Sequence, residues 1–280
     1  MNNLIYPCIA LKGQTEEAAD FYINTFAEGK IVQTSPYVRL LDLSGQLLML
    51  LNEGPESQPN AAISIMVTAK SAEETQRYWD KLTLGGKIFM PLDEYPWSIS
   101  YGWIQDKFGV SWQLFTSQDG SRVQKFTPSL MFTGHNAGKA EEAIHFYTGL
   151  FPLSEIGGIL EYQEGEGDIP GLIKHAMFNI NEYTVTAMDS SADHKVAFND
   201  AISFVVNCKT QDEIDRYWHK LTDEGGDEVA CGWLTDKFGI SWQIVPEQLG
   251  TWISDPVHGQ AAIAAMMKMK KLIISELQNA

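Results

Sequence analysis

YGWIQDKFGVSWQLF, residues 101–115, returns as CGWLTDKFGISWQIV at residues 231–245, with nine identities over fifteen positions. Two more pairs keep the same order around it. EEAADFYINTF at 16–26 matches EEAIHFYTGLF at 141–151, and RYWDKLT at 77–83 matches RYWHKLT at 216–222. Ordered self-similarity on this scale means a tandem duplication. It places module A at 1–117, a polar linker at 118–126, module B at 127–246 and a tail at 247–280. The modules differ in their loops: Gly86 and Gly102 are sixteen residues apart in A, Gly226 and Gly232 six in B. Module A thus carries an insertion holding Tyr95, Trp97 and Tyr101, whereas B lengthens its first loop at 135–139.

Within each module a strand, a helix and several short strands follow one another, and the order then repeats. In A, Tyr6–Leu11 reads as a strand, and Thr15–Phe26 as a helix with Ala18, Phe21, Tyr22 and Phe26 on one face. Ser71 with Glu74, and Thr210 with Glu213, are capping boxes that open the second helix of each module. The last hairpin turns on Asp106-Lys107-Phe108-Gly109, where aspartate can bond the turn backbone and glycine can take positive φ. Each module therefore reads as βαβββ twice, an α+β pattern with four half-units in the chain. Gln260–Leu277 is helical by pattern and serves either to cover a sheet face of its own chain or as a partner interface.

Twenty Lys and Arg against 36 Asp and Glu give a net charge of −16, which disfavours nucleic acid and anionic membranes, since both are bound through clustered cations. Cys8, Cys208 and Cys231 show neither CxxC spacing nor a disulfide framework. The N-terminus lacks the basic and apolar regions of a leader, and no apolar run approaches the roughly 20 residues of a membrane helix. A reduced, cytoplasmic location is expected.

Repeated βαβββ units, Gly13 or Gly134 before EEAxxFY, DKFGxxWQ in both modules and the tail AMMKMKKLIISEL from Ala265 together resemble the vicinal oxygen chelate superfamily. That superfamily includes glyoxalase I, the extradiol dioxygenases and the bleomycin-resistance proteins. The closer likeness is to its PhnB-like branch, labelled 3-demethylubiquinone-9 3-methyltransferase. The resemblance implies tandem glyoxalase/bleomycin-resistance-like modules, each of two βαβββ units forming a curved sheet around a cavity, packed as an internal pseudo-dimer. A homodimer through the sheet or the tail is the further assembly it allows.

In metal-dependent members, the resemblance implies, the opening and closing strands supply His and Glu to a divalent ion. Here Gln113 and Gln243 stand at the Glu position, and glutamine is a far weaker ligand than carboxylate. The opening strands contain neither His nor carboxylate, and module A offers at most Glu53 beside Gln113. No metal or other cofactor is expected. Module B keeps more polar material: His175 and Asp189 match the His and Asp of the PhnB-like motif, where module A has Val38 and Asn52. With Gln243 they are the candidate catalytic set, as an acid and base pair or a weak cation site, set against a strand His simply hydrogen-bonded to a neighbour.

Aromatic residues crowd the last hairpin of module A, and an aromatic cavity suits a flat organic ligand. Tyr95, Trp97, Tyr101, Trp103, Ser111 and Gln113 are the candidate ligand-binding residues, with Tyr95 and Trp97 as rim or lid. Trp112, Trp242 and the helix pairs Tyr78-Trp79 and Tyr217-Trp218 read as core. A methyl donor such as S-adenosylmethionine needs a glycine-rich turn in a doubly wound sheet, whereas Gly157-Gly158 and GEGDIPG from Gly165 read as hairpin loops, so the methyltransferase label gains no support. Neither GxSxG nor a P-loop occurs. The leading expectation is a metal-independent protein that binds a small organic molecule. Its alternatives are a divalent-metal-dependent lyase or dioxygenase-type enzyme using a degenerate site in module B, and a module A that only stabilises module B.

Overall fold

A computed structural model describes residues 4–52, 54, 56–117 and 124–280; Glu53 and linker residues 118–123 lie outside them. Four βαβββ half-units follow in order. The first is β1 (Ile5–Ala10), α1 (Thr15–Phe26), β2 (Gly29–Thr34), β3 (Val38–Leu43) and β4 (Gln46–Leu51). The second is β5 (Ile63–Ala69), α2 (Ala72–Leu82), β6 (Lys87–Tyr95), β7 (Ser98–Gln105) and β8 (Ser111–Thr116). The third is β9 (Phe126–Phe132), α3 (Ala140–Leu150), β10 (Glu155–Glu161), β11 (Ile173–Ile180) and β12 (Tyr183–Asp189). The fourth is β13 (Ile202–Cys208), α4 (Gln211–Thr222), β14 (Asp227–Glu228), β15 (Trp233–Thr235) and β16 (Ser241–Pro246).

The chain divides into two compact units, Cys8 to Ala201 and Ile202 onward with the segment ending at Pro7. The division falls inside module B rather than at the linker. Within the first unit one eight-stranded sheet runs β10-β11-β12-β9-β5-β8-β7-β6. Its centre is an antiparallel pair between modules, with Ile63 opposite Leu130 and Val67 opposite Phe126. The second half of A and the first half of B therefore share a sheet, where the sequence reading gave each module one of its own. Alternation along a strand reports which face is buried but not which edge finds which partner, and an unpaired edge must be covered somehow. The same unit holds β2, β3 and β4 with the end of β1. The second unit holds β14-β15-β16-β13 with the start of β1, where Asn207 N–H donates to the Leu4 carbonyl at 2.8 Å.

The repeated DKFGxSWQ segment folds as one hydrogen-bonded device. Asp106 Oδ1 accepts from the N–H of Phe108 at 2.8 Å and Val110 at 3.0 Å, closing the turn, and Gly109 takes φ +87°. Asp106 Oδ2 accepts from the Trp112 indole at 2.7 Å and the Tyr22 hydroxyl at 2.9 Å. One carboxylate thus ties the hairpin to its own buried tryptophan and to α1. In the second unit Asp236 accepts from Phe238, Ile240 and the Trp242 indole at 2.9, 3.1 and 2.8 Å. The capping boxes differ from expectation in one bond. Glu74 N–H donates to Ser71 Oγ at 3.2 Å, but the Glu74 carboxylate reaches back to Lys70 N–H, one residue before the cap. Glu213 does the same toward Lys209.

The tail departs from the single helix read over Gln260–Leu277. It forms α5 (Leu249–Ile253), α6 (Gly259–Met266) and α7 (Ile274–Gln278), with an irregular stretch between the last two. There the carbonyls of Met269 and Lys270 accept from Cys231 and Gly232 N–H, both at 2.8 Å. Leu272 is fully buried, and Lys271 pairs with Asp215 of α4 at 2.7 Å. Backbone pairing with the short fourth half-unit outweighs helical propensity here, and the tail covers its own unit.

Candidate functional site

Alternation divides the eight-stranded sheet of the first unit into two faces. Trp112 packs against Tyr22 and Phe26 of α1, so its face is the helix-covered one. The strand registers carry the other face across the sheet as Thr186, Ser129, Ser64 and Ser111 in one row, and Thr127, Met66, Gln113 and Trp103 in the next. Both modules contribute to each row.

Gln113 is the hub. Tyr101 Oη donates to Gln113 Oε1 at 2.8 Å, and Gln113 Nε2 donates to Ser64 Oγ at 2.6 Å. Beside this chain the Trp103 indole donates to Ser111 Oγ at 2.8 Å. Burial pushes the Tyr101 phenol well above its ordinary value, which keeps it protonated and a donor. Tyr95 and Trp97 stack at 5.1 Å, and Tyr101 meets both edge-on at 5.7 and 5.8 Å. Trp97 is 52% exposed, so the aromatic group runs from solvent to the buried amide. The insertion that carries it is the β6–β7 hairpin.

All six sequence candidates for ligand binding, Tyr95, Trp97, Tyr101, Trp103, Ser111 and Gln113, thus converge on this hairpin and β8. Sequence reasoning missed Ser64, Ser129 and Thr186. Serine and threonine in a strand give no chemical signal until register sets them in line with Gln113.

The candidate catalytic set is not gathered in this way. Ala176 pairs with Ala187, which turns His175 and Asp189 to opposite faces of their sheet. Asp189 is buried, with Oδ1 accepting from Gly138 N–H at 2.8 Å and Ala140 N–H at 3.2 Å, and Oδ2 from Ile173 N–H at 3.1 Å. Burial raises its carboxyl against the pull of these three donors. Asp189 therefore closes the start of α3. His175 lies exposed on the other face. Gln243 belongs to the second unit, where its Nε2 donates to Ser203 Oγ at 3.0 Å, repeating the Gln113–Ser64 bond.

A divalent ion of the kind the fold family uses does not fit these donors. The row offers hydroxyls and a neutral amide, where first-row ions call for imidazole, thiolate or carboxylate. Among the described residues no group of three His, Cys, Asp or Glu side chains stands together. Glu53 lies outside the described residues. The GEGDIPG segment forms the loop between β10 and β11, as read, whereas Gly157-Gly158 lie not in a hairpin loop but inside β10, at a register shift against β11. Among the described residues no helix is long and apolar enough to cross a membrane.

Comparison with known proteins agrees with this fold. Glyoxalase I of Zea mays superposes with a TM-score of 0.60 over 87% of this chain and 94% of its own at 13% identity, a likeness of fold. The PhnB protein of Bacillus cereus, described as a 3-demethylubiquinone-9 3-methyltransferase, is 33% identical, with 39% of this chain covering 96% of it and a TM-score of 0.38. YjdN of Escherichia coli K12 is 29% identical over 73 residues, 26% of this chain, and the match spans 50% of that relative's length. The model of the family described as 3-demethylubiquinone-9 3-methyltransferase matches residues 3–115 and again 124–245, so the chain is a tandem member of that PhnB-like family within the vicinal oxygen chelate superfamily.

Proposed function

We propose that the chain binds a small, flat organic molecule without a metal, on the Gln113 face of the first unit. The observation that carries this is the Tyr101–Gln113–Ser64 chain of neutral groups, standing where the superfamily resemblance calls for ligands. A neutral amide flanked by hydroxyls can hold a carbonyl or hydroxyl of a ligand but gives little to a cation. Tyr95 and Trp97 supply the stacking wall, and such a wall beside a few fixed polar groups is the usual make-up of a small-molecule site. Methyl transfer is not part of this reading, because the sheet is not doubly wound, GEGDIPG is a hairpin loop and Gly157-Gly158 lie inside strand β10. Three free cysteines agree with a reducing, cytoplasmic setting.

The test is a panel of aromatic and heteroaromatic compounds screened against the full chain by thermal shift and tryptophan fluorescence. A hit is expected to quench fluorescence and to lose about tenfold or more in affinity in Trp97→Ala and in Gln113→Leu. Hits that bind both variants as well as the parent would refute the site, and a broad panel without a hit would refute the binding function.

A further inference from the structure

A concavity of about 500 Å³ lies on the first half-unit between the start of α1 and the turn after β2. It shares no residue with the Gln113 face. Gly13, Thr15, Arg39 and Asn52 line it, with Ser35 and Pro36 across from them. Arg39 Nη1 donates to Thr15 Oγ1 at 3.1 Å and Nη2 to Glu16 at 3.0 Å. The Arg39 side chain is 17% exposed and that of Glu16 80%. The cation is therefore held from below by a buried threonine and met from outside by a solvated carboxylate. Among the described residues no side chain caps α1.

Module B shows what the same frame looks like when filled. By the repeat, Gly138 stands for Gly13, Ala140 for Thr15, Ala176 for Arg39 and Asp189 for Asn52. There a carboxylate is built in, since Asp189 accepts from Gly138, Ala140 and Ile173 N–H. Leu172 closes the rest: a Cβ on Gly138 would meet its Cδ2 at 3.5 Å, whereas a Cβ on Gly13 would meet nothing within 4 Å. Module A has a neutral side chain in the place of that carboxylate, with Asn52 Oδ1 accepting from Thr15 Oγ1 and the Asn52 carbonyl from Gly13 N–H, both at 3.3 Å, and a guanidinium at the wall of the open cleft beside it. The Asn52 amide Nδ2 donates to the carbonyl of Pro36, the counterpart of Ile173, at 3.2 Å.

We propose that this cleft binds a small organic carboxylate, which lies beside Asn52 and pairs with the Arg39 guanidinium. The planar guanidinium matches a carboxylate in fork geometry. Glu16 swings into solvent as the ligand enters, and its nearness favours a singly charged ligand over a dianion.

The test is a titration of the full chain with acetate, benzoate and succinate, followed at the Gly13 amide and the Arg39 Nε–H by nitrogen-15 NMR. Saturable shifts are expected for the monocarboxylates, weakened about tenfold or more in Arg39→Met. Asn52→Asp, which restores the internal carboxylate of module B, is expected to abolish saturation, and Glu16→Gln to tighten binding. Shifts that never saturate, or equal affinity in both Arg39→Met and Asn52→Asp, would overturn the proposal. Saturation by inorganic phosphate with none by carboxylates would overturn the ligand class.

Discussion

Replacing Asp106 with alanine tests whether the DKFG turn is the clamp described above. The substitution leaves four donors without their acceptor: the Phe108 and Val110 amides, the Trp112 indole and the Tyr22 hydroxyl. The site is closed, with Tyr22 and Trp112 fully buried and Asp106 3% exposed. An orphaned buried donor costs about 1–3 kcal/mol, and the Tyr22 hydroxyl can rotate toward another acceptor, so roughly three such losses remain. Against them stands relief from burying a carboxylate, whose cost shows in the upward push that burial gives its pKa. Taking about 1–2 kcal/mol for that relief, the net expectation is about 2–7 kcal/mol lost. Urea unfolding at neutral pH, followed by tryptophan fluorescence, measures it. Asp236→Ala, at the twin turn, is expected to cost a similar amount in the second unit. A loss below about 0.5 kcal/mol in Asp106→Ala, the range of ordinary surface changes, would refute the clamp.

Three further outcomes follow from the same geometry. Asp189→Ala removes the acceptor for three N–H groups at the start of α3 and should lower stability by about 1–3 kcal/mol in urea titration. Leu272→Ala opens a cavity under the tail and should cost about 2–5 kcal/mol, with faster amide exchange at Cys231 and Gly232, whose N–H groups the tail carbonyls hold. Tail docking should also weaken in acid. Hydrogen bonds from Lys271 and Gln211 hold the Asp215 carboxyl below its ordinary value of 3.8, so the stability it adds is present above that value and is lost as pH falls through the lower folded value. A hydrogen-exchange series that finds Cys231 and Gly232 equally protected at pH 6 and pH 3 would contradict this.

Much of the fold was legible because it is written twice. The DKFGxSWQ repeat, the two capping boxes and the period-2 runs fix the βαβββ order before any coordinates. The sharing of one sheet between modules was not legible, since Ile63 and Leu130 are each apolar strand residues with no mark of mutual choice. The tail misled for a related reason. Ile263, Met266, Ile273 and Leu277 keep a helical period, but the carbonyls of Met269 and Lys270 find better use on the β15 edge. At the site, chemistry-bearing types such as Tyr101, Trp103 and Gln113 could be picked from the sequence, whereas Ser64 and Ser129 acquire meaning only through register. Arg39 carried a signal that went unread: a cation amid apolar strand positions, facing an asparagine where the twin module has aspartate.

The central claim, that neutral donors have replaced a metal centre in this PhnB-like chain, is tested most directly by elemental analysis. Full-length protein is equilibrated with Mn, Fe, Co, Ni and Zn, dialysed exhaustively and assayed beside Gln113→Ala and His175→Ala. The account predicts far less than one metal per chain, equal in all three proteins. Stoichiometric metal in the parent, lost in either variant, would contradict it and place the chemistry on that residue.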